Sequence, residues 1–237
     1  MKVIDGKTLA QNLRKKIANE VKQYSRPPGL AVILVGDDEA SQLYVRNKTR
    51  ACVEVGFYSD QIHKSSNITE EELLSEVNRL NENQNIDGIL VQLPLPSHID
   101  SNKIIEAIIP EKDVDGFSSE NVGKLSQNKS FISPCTPKGV MKMLDSIKCD
   151  LRGKDCVIIG ASNIVGRPMA MELLNAGATV QVCHKGTKDI TQKTKSADVI
   201  IAAAGVANLV KSDWIKEGVI LIDVGINRQA DGSMTGD

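Results

Sequence analysis

The sequence predicts an α/β protein made of two parallel-sheet units, on three observations. Short aliphatic runs recur along the chain, among them Leu30 to Val35, Cys156 to Ile159 and Val219 to Val224. Runs of this length suit strands buried on both faces, as in parallel sheets. Segments with helical periodicity alternate with them, the arrangement of strands joined by right-handed crossovers. The 237 residues suit two modest domains, and no internal repeat or low-complexity tract points to an array.

Each element has a local reason. Leu9, Leu13, Ile17 and Val21 recur at a four-residue step, which predicts an amphipathic helix over 8–21. Arg26-Pro27-Pro28-Gly29 breaks it, and Leu30 to Val35 follows as a strand. Gly36-Asp37-Asp38 is a turn, and Ser41 to Val55 reads as a helix closed by Gly56. In Thr69-Glu70-Glu71-Glu72, Thr69 can cap a helix while Glu72 reaches back, opening a helix through Leu73, Leu74, Val77 and Leu80. Asp87 to Leu93 is the next strand, ended by Pro94-Leu95-Pro96. Ile104 to Ile109 is a short helix stopped by Pro110, and the polar stretch to Ser133 reads as the loosest part of the chain. Thr136-Pro137 predicts an N-cap with proline at the first helical position, and the domain boundary is expected just after this helix, giving units 1–149 and 150–237. Strand at Cys156 to Ile159, helix at Val165 to Ala176 and strand at Thr179 to Cys183 follow, with further strands at Asp198 to Ala203 and Val219 to Val224.

Composition narrows the function. Twenty-nine basic against 30 acidic residues give a net charge of −1, with no global basic field for nucleic acid or an anionic membrane. No window approaches the roughly 18 apolar residues of a membrane span, and the charged start MKVIDGKTLA is unlike a signal peptide, so a cytoplasmic protein is expected. Cys52, Cys135, Cys149, Cys156 and Cys183 are odd in number and widely spaced, which predicts reduced thiols, largely in packed elements, and no metal site.

Three segments carry candidate chemistry. After the strand Val157 to Ile159 comes Gly160-Ala161-Ser162-Asn163-Ile164-Val165-Gly166, a glycine turn entering a helix whose free N–H groups can meet a pyrophosphate. This reads as a Rossmann-like dinucleotide site, although a plain strand-to-helix turn accounts for the same glycines. The second strand ends in His184-Lys185 with no carboxylate for ribose hydroxyls, so Lys185 favours NADP over NAD. In the first half, Ser41, Tyr44 and Lys48 share one helical face, a candidate acid/base group for which an exposed helix with a snorkelling lysine is the alternative. Gln92 stands at the carboxyl end of a strand, where ligands of open α/β sheets bind. Asp115, in Lys112-Asp113-Val114-Asp115-Gly116, is either a ligand group or an Asx turn.

Together these segments, with Pro134-Cys135-Thr136-Pro137 and Asp223-Val224-Gly225-Ile226-Asn227, resemble the bifunctional methylenetetrahydrofolate dehydrogenase/methenyltetrahydrofolate cyclohydrolase family, in the family's order along the whole chain. The resemblance implies two α/β domains with a cleft between them, the first binding folate and the second NADP. It implies oxidation of 5,10-methylenetetrahydrofolate to the methenyl cation, then hydrolysis to 10-formyltetrahydrofolate, a step of one-carbon metabolism that serves purine biosynthesis. Lys48 matches the family's catalytic lysine, Tyr44 the tyrosine that stacks on folate, Gln92 the glutamine that positions the lysine, and Asp115 the aspartate on the pterin edge. Ser41, Leu93 and Pro94 are the further expected substrate contacts. Cofactor contacts are expected from Gly160, Ala161, Ser162, Ile164, Val165 and Gly166, from His184 and Lys185, and from Ala204, Gly205, Gly225 and Ile226. A homodimer joined through the cofactor domain is implied.

Three departures from the family pattern stand out. Ala161 replaces a common arginine that contacts the 2′-phosphate, and Lys185 replaces a common serine, which leaves NAD possible. Family members also continue past the position of Asp237 with a PVPGGVGPMT-like loop and a helix. A chain ending at Asp237 is expected to be weakly active, or a folate-binding relic. A monofunctional NAD-dependent dehydrogenase is the remaining alternative, and the presence of Lys48, Tyr44 and Gln92 speaks against it.

Overall fold

The computed structural model describes residues 2–229 and 231–237. They form two compact units, one up to Gly123 and one from Lys124 onward. The division falls between Gly123 and Lys124, ahead of the boundary expected at 149/150, because the helix over 135–146 packs on the helix over 166–175 and so groups with the second unit.

The first unit runs α1 (Gly6–Val21), β1 (Gly29–Val35), α2 (Glu39–Val55), β2 (Tyr58–Lys64), α3 (Glu70–Glu82), β3 (Gly88–Val91) and α4 (Ser101–Glu106), and the division falls within α5 (Ser119–Ser126). Its three strands are parallel in the order β2-β1-β3, with Ile33 opposite both Ile62 and Val91. Successive residues of β1 serve opposite layers. Ala31, Ile33 and Val35 pack with Leu73, Val77, Leu80 and Ile104, whereas Val32 and Leu34 pack with Val45 and Leu90. Ile33 is fully buried, and covering a side chain of this size stabilises the fold by about 1.5–3 kcal/mol.

Helix boundaries follow side-chain capping. Asp38 accepts from the Ser41 amide at 2.8 Å, and α2 closes on a left-handed Gly56. Thr69 and Glu72 form the expected reciprocal capping box of α3. Strand β2 was not anticipated from the sequence. It is the sheet's edge, with one apolar residue, Ile62, among polar neighbours, so β1 rather than its own pattern makes it a strand.

The stretch expected to be loosest is instead ordered by polar groups. Asp113 is buried and accepts from the amides of Gly116 (3.0 Å) and Ser118 (2.9 Å) and from Asn121 Nδ2 (3.0 Å), and α5 follows directly. Apolar periodicity carries no record of such a network. Helix α4 also lies earlier than expected, ending at Glu106 rather than running to Pro110.

In the second unit come α6 (Cys135–Ser146), β4 (Asp155–Ile159), α7 (Gly166–Asn175), β5 (Thr179–Cys183), α8 (Ile190–Ser196), β6 (Val199–Ala202), a 3-10 turn (Ser212–Trp214), β7 (Ile220–Asp223) and the hairpin β8 (Asn227–Arg228) and β9 (Met234–Thr235). Helix α6 starts at Cys135 with Pro134 as its cap residue, so Thr136 is not the N-cap. Pro137 still sits in the first turn, where its missing N–H costs no hydrogen bond. The parallel sheet is ordered β5-β4-β6-β7, and Ile158 pairs with Val182 on one side and Ile201 on the other.

Both sheets share one topological feature. After β1 the chain places β2 on one side and β3 on the other; after β4 it places β5 on one side and β6 on the other. Such a reversal opens a crevice beyond the carboxyl ends of the two adjacent strands at which the order reverses, where open α/β sheets bind ligands. In the first unit that crevice lies beyond β1 and β3, in the second beyond β4 and β6.

Candidate functional site

In the first unit the side chains of α2 meet the end of β3. Lys48 Nζ donates to Gln92 Oε1 at 3.0 Å, and Gln92 Nε2 donates to the carbonyl of Leu93 at 2.8 Å, so the amide is held with its oxygen toward the lysine. Gln92 itself is anchored by its N–H on the Ile33 carbonyl at 2.9 Å, one step past the ladder. Tyr44 stands one turn before Lys48 and is 45% exposed, so its side chain is accessible to a ligand. Ser41 is buried, and its amide belongs to the N-cap of α2, a structural duty alongside its expected contact. Leu93 and Pro94, which follow Gln92, are joined by a cis peptide bond.

Asp115 reaches this group from the loop after α4. The loop is tied to the sheet where the Ile89 amide donates to the Lys112 carbonyl at 2.7 Å. On the far side, Lys112 Nζ donates to the carbonyls of Leu80 (3.0 Å), Asn81 (2.7 Å) and Asn83 (2.9 Å), capping α3. Burial pushes the Asp115 carboxyl up to about 6; the Lys48 charge pulls it down and the Asp113 charge adds to the rise. Lys48, Gln92 and Asp115 thus form one electrostatic group: an ammonium held by an amide oxygen, beside a carboxyl that titrates near neutral pH.

Lys112 and Asp113 carry this arrangement, and the sequence reading gave them no role. Their signal was present in the alternating charges of Lys112-Asp113-Val114-Asp115, but nothing in one sequence separates the charge that binds from the charges that brace.

The second unit offers a different kind of site. Gly160 has φ +130°, and a Cβ there would run into the carbonyl oxygen of Ala203; one at Gly166 would run into the Gly160 carbonyl. Both glycines are therefore required by close backbone approach. The Ser162 hydroxyl accepts from the amides of Val165 (3.2 Å) and Gly166 (3.4 Å), which shapes the turn into the ten-residue α7. This turn, a helix N-terminus and exposed Ile164 fit a dinucleotide pyrophosphate lying on backbone amides. Arg167, not anticipated, returns over the turn and donates from Nε to the Ala161 carbonyl at 3.3 Å.

At the end of β5, His184 and Lys185 are exposed. His184 Nδ1 accepts from the Gly186 amide at 3.1 Å and its own amide donates to Thr187 Oγ1 at 2.9 Å, so the bend that displays Lys185 is well defined. Ala204 and Gly205 follow β6, Gly225 and exposed Ile226 follow β7, and all four lie beyond carboxyl ends of the sheet. Among the described residues no cluster of His, Cys, Asp and Glu could hold a metal ion, and no helix is long and apolar enough to cross a membrane. Cys52, Cys156 and Cys183 are buried free thiols and Cys149 is half-buried, in line with thiols largely in packed elements, while Cys135 is exposed.

Comparison with known proteins agrees with both halves. Residues 4–115 match the tetrahydrofolate dehydrogenase/cyclohydrolase catalytic domain, and residues 134–237 match the NAD(P)-binding domain of the same family. The chain is 60% identical to the bifunctional protein FolD of Vesicomyosocius okutanii over 237 residues, which span all of this chain and 86% of that one. The structure superimposes on the FolD methylenetetrahydrofolate dehydrogenase/cyclohydrolase of Campylobacter jejuni with a TM-score of 0.97 at 54% identity, covering 100% of this chain and 86% of that one. It superimposes on the Trypanosoma brucei enzyme, determined with NADP cofactor and inhibitor, with a TM-score of 0.93 at 38% identity, covering 100% and 84%. The chain belongs to the tetrahydrofolate dehydrogenase/cyclohydrolase family.

Proposed function

We propose that the protein is a bifunctional one-carbon enzyme that oxidises 5,10-methylenetetrahydrofolate with NADP and hydrolyses the resulting methenyl cation to 10-formyltetrahydrofolate. The observation that carries the reading is the Lys48–Gln92 hydrogen bond of 3.0 Å beside Asp115. A dehydrogenase alone needs orientation, because the nitrogen lone pair next to the one-carbon bridge expels the hydride. Ring opening needs a proton-handling group, and a lysine held by an amide oxygen supplies one.

In this reading Tyr44 stacks on the folate, and ionised Asp115 accepts hydrogen bonds from the amino-pyrimidine edge. Ser41, Leu93 and Pro94 border the ring. The Gly160–Gly166 turn would hold NADP, which when bound would supply the hydride acceptor for the one-carbon bridge. Water then adds to the methenyl carbon and loses a proton. Lys48 as the neutral amine takes that proton, and as the ammonium so formed it stabilises charge developing on oxygen and returns a proton to the ring nitrogen released when the carbon–nitrogen bond opens. Gln92 keeps the lysine aimed throughout.

Cofactor choice rests on cations. Lys185 at the end of β5 and Arg167 over the turn take the place of an arginine at position 161, which supports NADP. A cytoplasmic protein is consistent with the buried free thiols. A homodimer through the second unit is supported by the free edge of β5, with Val182 37% exposed and Leu174 on α7 53% exposed. The product would feed reactions that transfer a formyl group, purine biosynthesis among them.

The test is a spectrophotometric assay with 5,10-methylenetetrahydrofolate and NADP or NAD, and separately with the methenyl compound alone. Reduction of NADP in preference to NAD, and methenyl decay above the buffer rate, are expected. Preference for NAD without methenyl decay would establish the monofunctional reading instead.

A further inference from the structure

The carboxylate of Asp237 is buried at the carboxyl end of the second sheet, where it belongs to none of the binding sets described above. It accepts from three consecutive backbone amides, Ala204 and Gly205 (2.9 Å) through Oδ2 and Val206 (2.9 Å) through Oδ1. Asn227 Nδ2 donates to the same carboxylate at 2.9 Å. These hydrogen bonds hold the carboxyl below the usual carboxylate range against the opposing effect of burial.

Three successive N–H groups converging on one point form an anion-binding nest, with Gly205 in the left-handed conformation (φ +64°) that the curl requires. Here the protein's own side chain fills it. The adjoining backbone is equally constrained: the Ala203 carbonyl lies against Gly160, and a Cβ at Gly225 would run into the Asp237 carboxylate. One carboxylate therefore braces the loop after β6 and the loop after β7, which both border the crevice beyond β4 and β6.

We infer that Asp237 is a positioning residue of the cofactor site: it consumes the amides of Ala204–Val206 and so fixes the two loops against which the dinucleotide lies. The loops then contribute shape and carbonyl acceptors to the cofactor rather than N–H donors. This rests on the NADP-dependent reading of the second unit.

The test compares Asp237→Asn with the unsubstituted protein by NADPH titration, by methenyl hydrolysis without cofactor, and by amide hydrogen exchange at Gly205 and Val206. An amide keeps one acceptor oxygen but turns an NH2 group toward the Val206 amide and Asn227 Nδ2, both donors, and so cannot satisfy the whole nest. Dissociation of NADPH weakened at least tenfold is expected, with faster exchange at the two amides and methenyl hydrolysis within twofold of normal. Gly205→Ala, strained in the left-handed region while Asp237 is intact, should weaken NADPH in the same way. Unchanged NADPH affinity, unchanged exchange, or a parallel loss of hydrolysis and NADPH binding in both variants would overturn the proposal. An unsubstituted protein that hydrolyses the methenyl compound but binds no NADPH would instead remove the reading on which it rests.

Discussion

The two units place their candidate sites at the same topological position and build them from different materials. In the first unit the groups beyond β1 and β3 are side chains: Lys48 on Gln92, Tyr44 one turn away, Asp115 braced by its neighbours. In the second unit the groups beyond β4 and β6 are mainly backbone, the Gly160–Gly166 turn and the loop curled round Asp237. The difference follows from the tasks. Moving a proton needs a titratable atom, whereas holding a long anionic cofactor needs many fixed dipoles in register. A site of side chains should fail in chemistry when one is changed, and a site of backbone should fail in binding.

The sharpest way to break this comparison is Lys48→Met. Loss of a positioned acid/base group should lower methenyl hydrolysis by about 10²–10⁴-fold while NADPH affinity stays within twofold, measured by stopped-assay decay and by fluorescence titration. A matching loss of NADPH binding would mean that the division of labour is wrong.

Gly160→Ala asks the reverse question. A side chain at φ +130°, aimed at the Ala203 carbonyl, should cost about 1–3 kcal/mol in cofactor binding and stability together. Hydrolysis by the folded fraction should persist, read from the methenyl assay alongside thermal unfolding.

The third prediction concerns pH. The Asp115 carboxyl titrates near 6 in the folded protein, raised by burial, and only its ionised form is a pure acceptor for the folate edge. Folate KM should therefore be flat above that pH and rise as pH falls through it, by about tenfold for each unit below. Asp115→Asn should raise KM at neutral pH and abolish the inflection; an inflection that survives belongs to another group.

The smallest effect is expected from Lys112→Met, which leaves the carbonyls of Leu80, Asn81 and Asn83 without their ammonium. A loss of about 1–2 kcal/mol of stability, or a Tm lower by a few degrees, is expected from calorimetry. Because the loop of Asp115 is also tied to the sheet through the Lys112 carbonyl, folate KM should change little.

Reading these residues from the sequence succeeded and failed for identifiable reasons. The strands β1, β4 and β5 and the capping box of α3 were legible because aliphatic runs and Thr-to-Glu spacing are local signals. Gly160 and Gly166 were legible as a turn, and Ser41, Tyr44 and Lys48 as one helical face. Strand β2 was not, since an edge strand takes its hydrogen bonds from a neighbour and needs no apolar pattern. The ordered segment 113–126 was missed for a similar reason: Asp113, Ser118 and Asn121 stabilise it by hydrogen bonds that leave no periodicity.

What the sequence determined by itself is the class of fold and the inventory of chemistry. Two runs of alternating strand and helix, a glycine turn after a buried strand, and a lysine a turn beyond a tyrosine are all properties of neighbours along the chain. Which distant groups meet was decided only by the tertiary structure. Lys48 and Gln92 are 44 residues apart and touch because α2 follows the central strand β1 and Gln92 follows β3 beside it. Asp237 reaches Ala204 to Val206 across more than 30 positions by the same logic of adjacent strand ends. The physical reason is that sheet order places remote residues side by side, and sheet order is set by burying both faces of each sheet at once, a condition on the whole unit rather than on any segment.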